Sequence, residues 1–514
     1  MTKFQDSFSQ EVWETTYKFH EDVTIDDTLS RVAKALASVE PDPARAQQWF
    51  ENFSDMLSDF KSTTGGRIYS NAGTDFQNTT LANCFVGPNT TEDIDSLQGI
   101  MRRLDWQAKT LASEGGYGEN FSYIRPRGAY IKGIGVDTPG AVKFMELFDK
   151  SSEIVTSGSG KVKSNSKAKG KIRKGAMMGC LDDWHPDVIE FITAKQQHGR
   201  LTKFNISVNF SDEFMGRLNK LQEDSAKFAE LDKWDLIFPD TTHPAYKEEW
   251  NGNIRDWKAK GYPVVVYDTV SVTQLWNLVM ESTYNRAEPG VLFLDRANHF
   301  NPAKYQETIK STNPCGEQVL APGGICCLGS INLTQFVIEE NGVRKFDVEG
   351  IKKYTKYMVR FLDNVNEYSN APLPQYIDSM RNKRRVGVGL MGVGSALFML
   401  KVRFGSAEAN RLCEEVSKAY AIAAYEASID LAVEKGMFKY CVPEEHAKSP
   451  FILNLGLSDE YMQKLRTTGI RNSSLLSQQP TGNTSILANI VSGGIEPVFM
   501  PEYIRTVIVP VMPL

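Results

Sequence analysis

In the hexapeptide 313–318 the thiol of Cys315 and the carboxylate of Glu317 stand two residues apart, and the amide of Asn313 precedes the thiol by two. Side chains alternate along an extended chain, so these three share one face. Pro314 and Gly316 lie between them and mark a loop tip rather than a sheet strand. Such a tip presents a nucleophile, a base and an orienting amide together. Alone, the hexapeptide would equally describe a surface turn around a structural cysteine. The pair Cys326 and Cys327 follows closely, which strengthens the case for thiol chemistry. Cys84 sits inside a short apolar run, 81–87, where core packing is the commoner explanation.

The elements that position these groups come from a chain of 514 residues with 41% hydrophobic content, enough for two to four domains or one large barrel. A net charge of -5 gives no global attraction for nucleic acid. The seven cysteines are scattered and form no zinc-type CxxC pair, so a reducing, cytoplasmic compartment is expected. No apolar run approaches the roughly 20 residues that cross a bilayer, and the N-terminus has no signal-like core, so neither secretion nor a membrane anchor is expected.

Residues 9–60 carry helical periodicity, and from Gly65 short apolar runs alternate with helical segments, an α/β pattern. Asp95 or Ser96 is suited to cap a helix running from Leu97 to about Ala112. Residues 114–120 look too glycine-rich for any regular element, though glycines at this density let backbone approach a ligand. Segment 157–174 holds seven Lys and Arg and no acid; it suits a phosphate-bearing small ligand better than a nucleic acid, lacking interleaved aromatics. A helix is expected from Val188 to Lys195 with Ile189, Phe191 and Ile192 facing the core. Residues 213–260 read as polar periphery. The run 290–295 reads as a buried parallel strand. Gly387, Gly389 and Gly392 satisfy GxGxxG, a loose pattern better explained by close helix–strand packing than by a dinucleotide. Finally, Thr481, Gly482, Asn483, Thr484 and Ser485 form a turn before an apolar run, a ready anion site.

Taken together, these segments resemble the catalytic (large, alpha) subunit of ribonucleotide reductase over essentially residues 10–510. The resemblance rests on segments 81–86, 95–97, 115–125, 173–179, 184–195, 313–318, 326–333, 384–392 and 480–499, which occur in the family's order. It implies a ten-stranded α/β barrel (63–514) with a central finger loop, after a short helical region (1–62) that lacks an ATP cone. Cys315 would become a thiyl radical and take the 3′ hydrogen of a ribonucleotide, with a diphosphate favoured as substrate. Glu317 would act as base on the 3′ hydroxyl, Asn313 would bond the sugar, and Cys84 with Cys326 would supply two electrons and end as a disulfide.

The resemblance further implies substrate phosphates on residues 481–485 and a deoxynucleoside triphosphate (or ATP) effector on Asp95, Ser96, Leu97 and Arg125. The basic segment would connect effector to substrate. Partners implied are a second copy of the chain, a thioredoxin- or glutaredoxin-type thiol reductant, and a radical source. For the last, a small metal-containing radical-generating subunit stands first and adenosylcobalamin is the alternative. No metal site in this chain, no nucleic acid and no membrane is expected. The family's C-terminal features would lie beyond Leu514, so a truncated, split or minimal chain is expected. Outside the family, a nicotinamide oxidoreductase would rest on 387–392 and a nucleic-acid-binding protein on 161–174.

Overall fold

The computed structural model describes residues 2–76, 79–90, 92–131, 135–157, 175–498, 500 and 502. The N-terminal helices form where the sequence starts them. Thr24 and Asp27 make a reciprocal capping box for Ile25–Ala37, and Asp42 caps Pro43–Leu57 with proline in the first turn. Their apolar faces pack into one hydrophobic cluster with the long helices Val348–Tyr368 and Ala407–Lys435.

The main sheet has eight strands among the described residues: β1 (Ser62–Thr64), β2 (Cys84–Val86), β3 (Gly116–Asn120), β4 (Met177–Asp182), β5 (Phe204–Asn209), β6 (Gly290–Leu292), β7 (Ile325–Asn332) and β8 (Val386–Met391). β2 to β6 are parallel neighbours in chain order. β7 runs antiparallel to β1 and β2 and parallel to β8, so the sheet consists of two halves of opposite direction. Residues 474–477 extend the second half, with Leu476 bridged to Val388 in parallel. This is a curled α/β sheet of the expected barrel kind, with eight strands among the described residues where the resemblance implies ten. A second hydrophobic cluster backs the parallel half.

Three local expectations are corrected, and the close packing expected at the GxGxxG glycines has a strand segment, not a helix, as its partner. The glycine run is not irregular: 116–120 is the central strand β3, and its glycines make room for another chain segment. A Cβ on Gly118 would lie 1.8 Å from the Thr312 carbonyl oxygen, and one on Gly116 would lie 2.9 Å from Pro314 Cγ. The GxGxxG pattern places Gly387 and Gly389 inside buried β8, not in the turn a dinucleotide needs. A Cβ on Gly389 would lie 2.5 Å from the Ser477 carbonyl oxygen, so these glycines admit the neighbouring strand segment. Residues 213–260 are not merely peripheral, because Trp234, Tyr246, Trp250 and Trp257 are buried in the second cluster. Ile189 is exposed, one helical step away from the buried Phe191 and Ile192. Segment 158–174, nearly all of the basic stretch, lies outside the described residues.

Candidate active site

The hexapeptide is the tip of a hairpin whose arms, Ser311–Thr312 and Val319–Leu320, pair antiparallel. Asn313 closes the tip: its N–H donates to the Gln318 carbonyl (3.1 Å), its Oδ1 accepts the Gln318 N–H (3.0 Å), and its carbonyl accepts the Gly316 N–H (3.0 Å). Gly316 has φ of +81°, a conformation that favours glycine. Both barrel halves hold this finger. From β5, Asn205 donates to the Pro314 carbonyl (2.8 Å). Beyond β8, Ser477 donates to the Glu317 carbonyl (3.5 Å), and Gln318 donates to the Leu476 carbonyl (3.4 Å).

Five expected residues meet at this tip. Cys84 and Cys326 are free thiols on directly facing positions of the β2–β7 pairing. Asn313 donates its side-chain N–H to Cys84 Sγ (3.1 Å), and the Cys84 thiol donates to Glu317 Oε1 (3.6 Å). Glu317 Oε2 is buried with no hydrogen-bond partner. Cys315, the most exposed of these thiols, shares the electrostatic environment of Glu317 and Cys84.

Burial and then the Glu317 charge push the Cys315 thiol up to about 11 and the Cys84 thiol well up. Burial and neighbouring Cys327 do the same to Cys326. Burial also raises the Glu317 carboxyl, against the hydrogen bonds from Asn313 and Cys84. All three thiols therefore keep their hydrogens at neutral pH. That disfavours a thiolate nucleophile and suits hydrogen-atom chemistry.

The turn expected to hold phosphates follows segment 474–477, which touches the finger. Thr481 caps the short helix Gly482–Leu487, and its N–H and hydroxyl both donate to the Gly493 carbonyl (2.7 and 2.6 Å). The Ser485 hydroxyl donates to the Gly482 carbonyl (3.0 Å), and that of Thr484 to the Thr481 carbonyl (2.9 Å). Gly482 and Asn483 are exposed, and their N–H groups have no protein acceptor among the described residues.

The sequence matches the family description "Ribonucleotide reductase, barrel domain" over residues 82–512 and "Ribonucleotide reductase, all-alpha domain" over 3–77. The chain belongs to the ribonucleotide reductase large-subunit family. It is 29% identical over 485 residues to a vitamin B12-dependent ribonucleoside-diphosphate reductase of Mycobacterium tuberculosis, covering 94% of this chain and 60% of that protein. It is 30% identical over 464 residues to the Thermoplasma acidophilum protein of the same name, covering 90% and 51%. It is also 28% identical over 471 residues to the ribonucleoside-diphosphate reductase large subunit of Trypanosoma brucei brucei, covering 85% and 52%. The chain thus spans about half to three-fifths of the length of these relatives.

The residues expected for an effector in this reductase-family chain lie apart from the thiols, at the start of helix Leu97–Ala112. Asp95 is buried and accepts from Arg125 twice, N–H to Oδ1 (2.8 Å) and Nε–H to Oδ2 (2.5 Å). The Tyr246 hydroxyl donates to the same Oδ2 (2.6 Å). Burial lifts the Asp95 carboxyl to about 6 despite Arg125. Ser96 caps the helix by accepting from the Gly99 N–H (3.0 Å), and Leu97 is exposed.

Two contributors escaped sequence reasoning. Arg67, on the short helix Gly66–Asn71, is buried, donates through Nε to the Glu114 carbonyl, and is the cation that opposes the upward shifts of Cys84 and Cys315. Tyr246 lies in the stretch read as periphery. A single Arg or Tyr without a motif gave no signal for either.

Proposed function

We propose that this chain is the catalytic polypeptide of a ribonucleotide reductase acting on ribonucleoside diphosphates, with a deoxynucleoside triphosphate effector at Asp95, Ser96, Leu97 and Arg125. The observation that carries the reading is the convergence of three thiols, one carboxylate with a free buried oxygen and one amide at the finger tip. On this reading the Cys315 thiyl takes the 3′ hydrogen atom while Glu317 Oε2 accepts the 3′ hydroxyl proton. The 2′ hydroxyl leaves as water with a proton from the facing thiols. The second thiol hydrogen goes to C2′ as Cys84 and Cys326 together give two electrons and become a disulfide; Glu317 returns its proton to the 3′ oxygen, and Cys315 returns its hydrogen atom to C3′. An external dithiol then reduces the disulfide. On this reading residues 481–485 take the phosphates, with the N–H groups of Gly482 and Asn483 as donors.

The radical comes from outside the polypeptide. The relatives named vitamin B12-dependent are 29–30% identical over 90–94% of the chain, whereas those named large chain, large subunit or subunit alpha are 25–28% identical over 77–93%. We read this, with the motif wording at 313–317 and 492–499, as support for adenosylcobalamin, the alternative to the partner subunit put first above. Adenosylcobalamin would supply the unpaired electron that makes Cys315 a thiyl. Assay of CDP reduction with a dithiol, each deoxynucleotide in turn and adenosylcobalamin tests this. Formation of dCDP supports the reading; activity that requires a metal-loaded protein partner instead would assign the radical to that partner.

A further inference from the structure

We propose that segment 246–255 is the link through which occupancy at Asp95 reaches the finger that carries Cys315, with Tyr246 a positioning residue that competes with an effector hydroxyl for the Asp95 carboxylate. This rests on the effector reading above and deepens it.

Three hydrogen bonds tie the segment to Asp95, to Tyr123 and to the root of the finger. At one end the Tyr246 hydroxyl donates to Asp95 Oδ2. Next, the Trp250 indole N–H donates to the Tyr123 carbonyl (2.9 Å), and Gly252 lies so close that a Cβ there would be 3.1 Å from Tyr123 Cβ. Beside it the Asn251 carbonyl accepts Lys310 Nζ (2.7 Å), and the Lys310 carbonyl accepts from Asn120 at the end of β3 (3.0 Å). Lys310 immediately precedes Ser311, where the finger begins. One short segment therefore touches the Asp95–Arg125 pair and the root of the finger.

The Asp95 side chain is only 1% exposed, covered by the groups that donate to it. Its Oδ1 is taken by the Arg125 N–H, and its Oδ2 by Arg125 Nε–H and the Tyr246 hydroxyl, all within a buried site. A sugar hydroxyl therefore reaches this carboxylate only by displacing a group that covers it. Tyr246 is the one it can replace without altering charge, since both are neutral hydroxyls. Residues 252–255 and 308–310 line the same polar cavity, which gives this part of the segment room to respond beside the buried Ile254 and the Arg255–Asp295 ion pair.

The sign of the effect separates this role from a structural one. In the free protein the Tyr246 bond satisfies the carboxylate, so removing it leaves Asp95 readier for an incoming hydroxyl. Calorimetry with each of the four deoxynucleoside triphosphates, paired with hydrogen exchange over 308–318, reads both ends of the link. Tyr246→Phe is expected to tighten binding by roughly 3- to 10-fold, the span of one net hydrogen bond. It should also abolish the exchange change that nucleotide produces in the finger of the unsubstituted protein. Lys310→Met is expected to bind nucleotide with unchanged affinity and to lose the same exchange response. Equal or weaker binding by Tyr246→Phe, or a finger response that persists in both variants, overturns the link. Absence of nucleotide binding to the unsubstituted chain would overturn the effector reading and the link together, whereas binding with no finger response would overturn the link alone.

Discussion

Cys84 and Cys326 face each other across the antiparallel pairing of β2 with β7. Facing residues in such a pair have Cα atoms about 4.5–5.5 Å apart. This lies inside the roughly 4.4–6.8 Å that a disulfide spans. Oxidation should therefore join Cys84 to Cys326 without disturbing the strands. Cys327, one residue along, points to the opposite face, where its thiol donates to the Leu362 carbonyl (3.5 Å). Peptide mapping of oxidised protein under non-reducing conditions should find the 84–326 cross-link and free Cys327; a cross-link through Cys327 would reject the assignment.

Gly118 should tolerate no side chain. Its Cβ would collide with the Thr312 backbone, which cannot rotate away as a flexible side chain could. Gly118→Ala is expected to cost about 1–3 kcal/mol of stability by overpacking. It should also displace the finger and remove most CDP reduction. Thermal melting and turnover check the two effects; an alanine variant with unaltered melting and activity would contradict the close approach.

Acid should weaken the joint between the N-terminal helices and the second half of the barrel. Burial alone would raise the Glu40 carboxyl, but hydrogen bonds from Arg360, Lys435 and Asn364 outweigh it and hold the group at about 2. A carboxyl depressed on folding stabilises the native state above its unfolded value and loses that contribution as pH falls through the folded one. The contribution of Glu40 should thus be complete at neutral pH and decline from about pH 4.5 towards about 2. Arg360→Met removes the central cation of a buried cluster and should cost about 3–5 kcal/mol at pH 7. Denaturant melts of both proteins from pH 7 to 3 should show the gap narrowing as pH falls; a constant gap would count against the network.

Much of the finger tip was legible because its groups lie within one hexapeptide. Proline and glycine beside Cys315 encode the turn locally, and periodic apolar residues encode the long helices. The facing of Cys84 and Cys326 was not legible from spacing, since it depends on the register of two strands far apart in sequence. That pairing came from family resemblance, and the strand register agrees with it. The glycines of β3 misled because a strand with little side-chain volume looks irregular until the finger that fills its face is known. Likewise, Tyr246 and Trp250 were hidden among the charged residues around them, and only tertiary packing shows them buried against Asp95 and Tyr123.

The central claim is that Cys315 does radical chemistry on a bound ribonucleotide. Its most direct test compares Cys315→Ser with the unsubstituted protein, measuring CDP binding by equilibrium dialysis and dCDP formation under the same conditions. Serine keeps the shape of the tip but holds its hydrogen too strongly to be exchanged with a sugar carbon. The account predicts unchanged CDP binding and no dCDP from the serine variant; dCDP formed at the unsubstituted rate would contradict it.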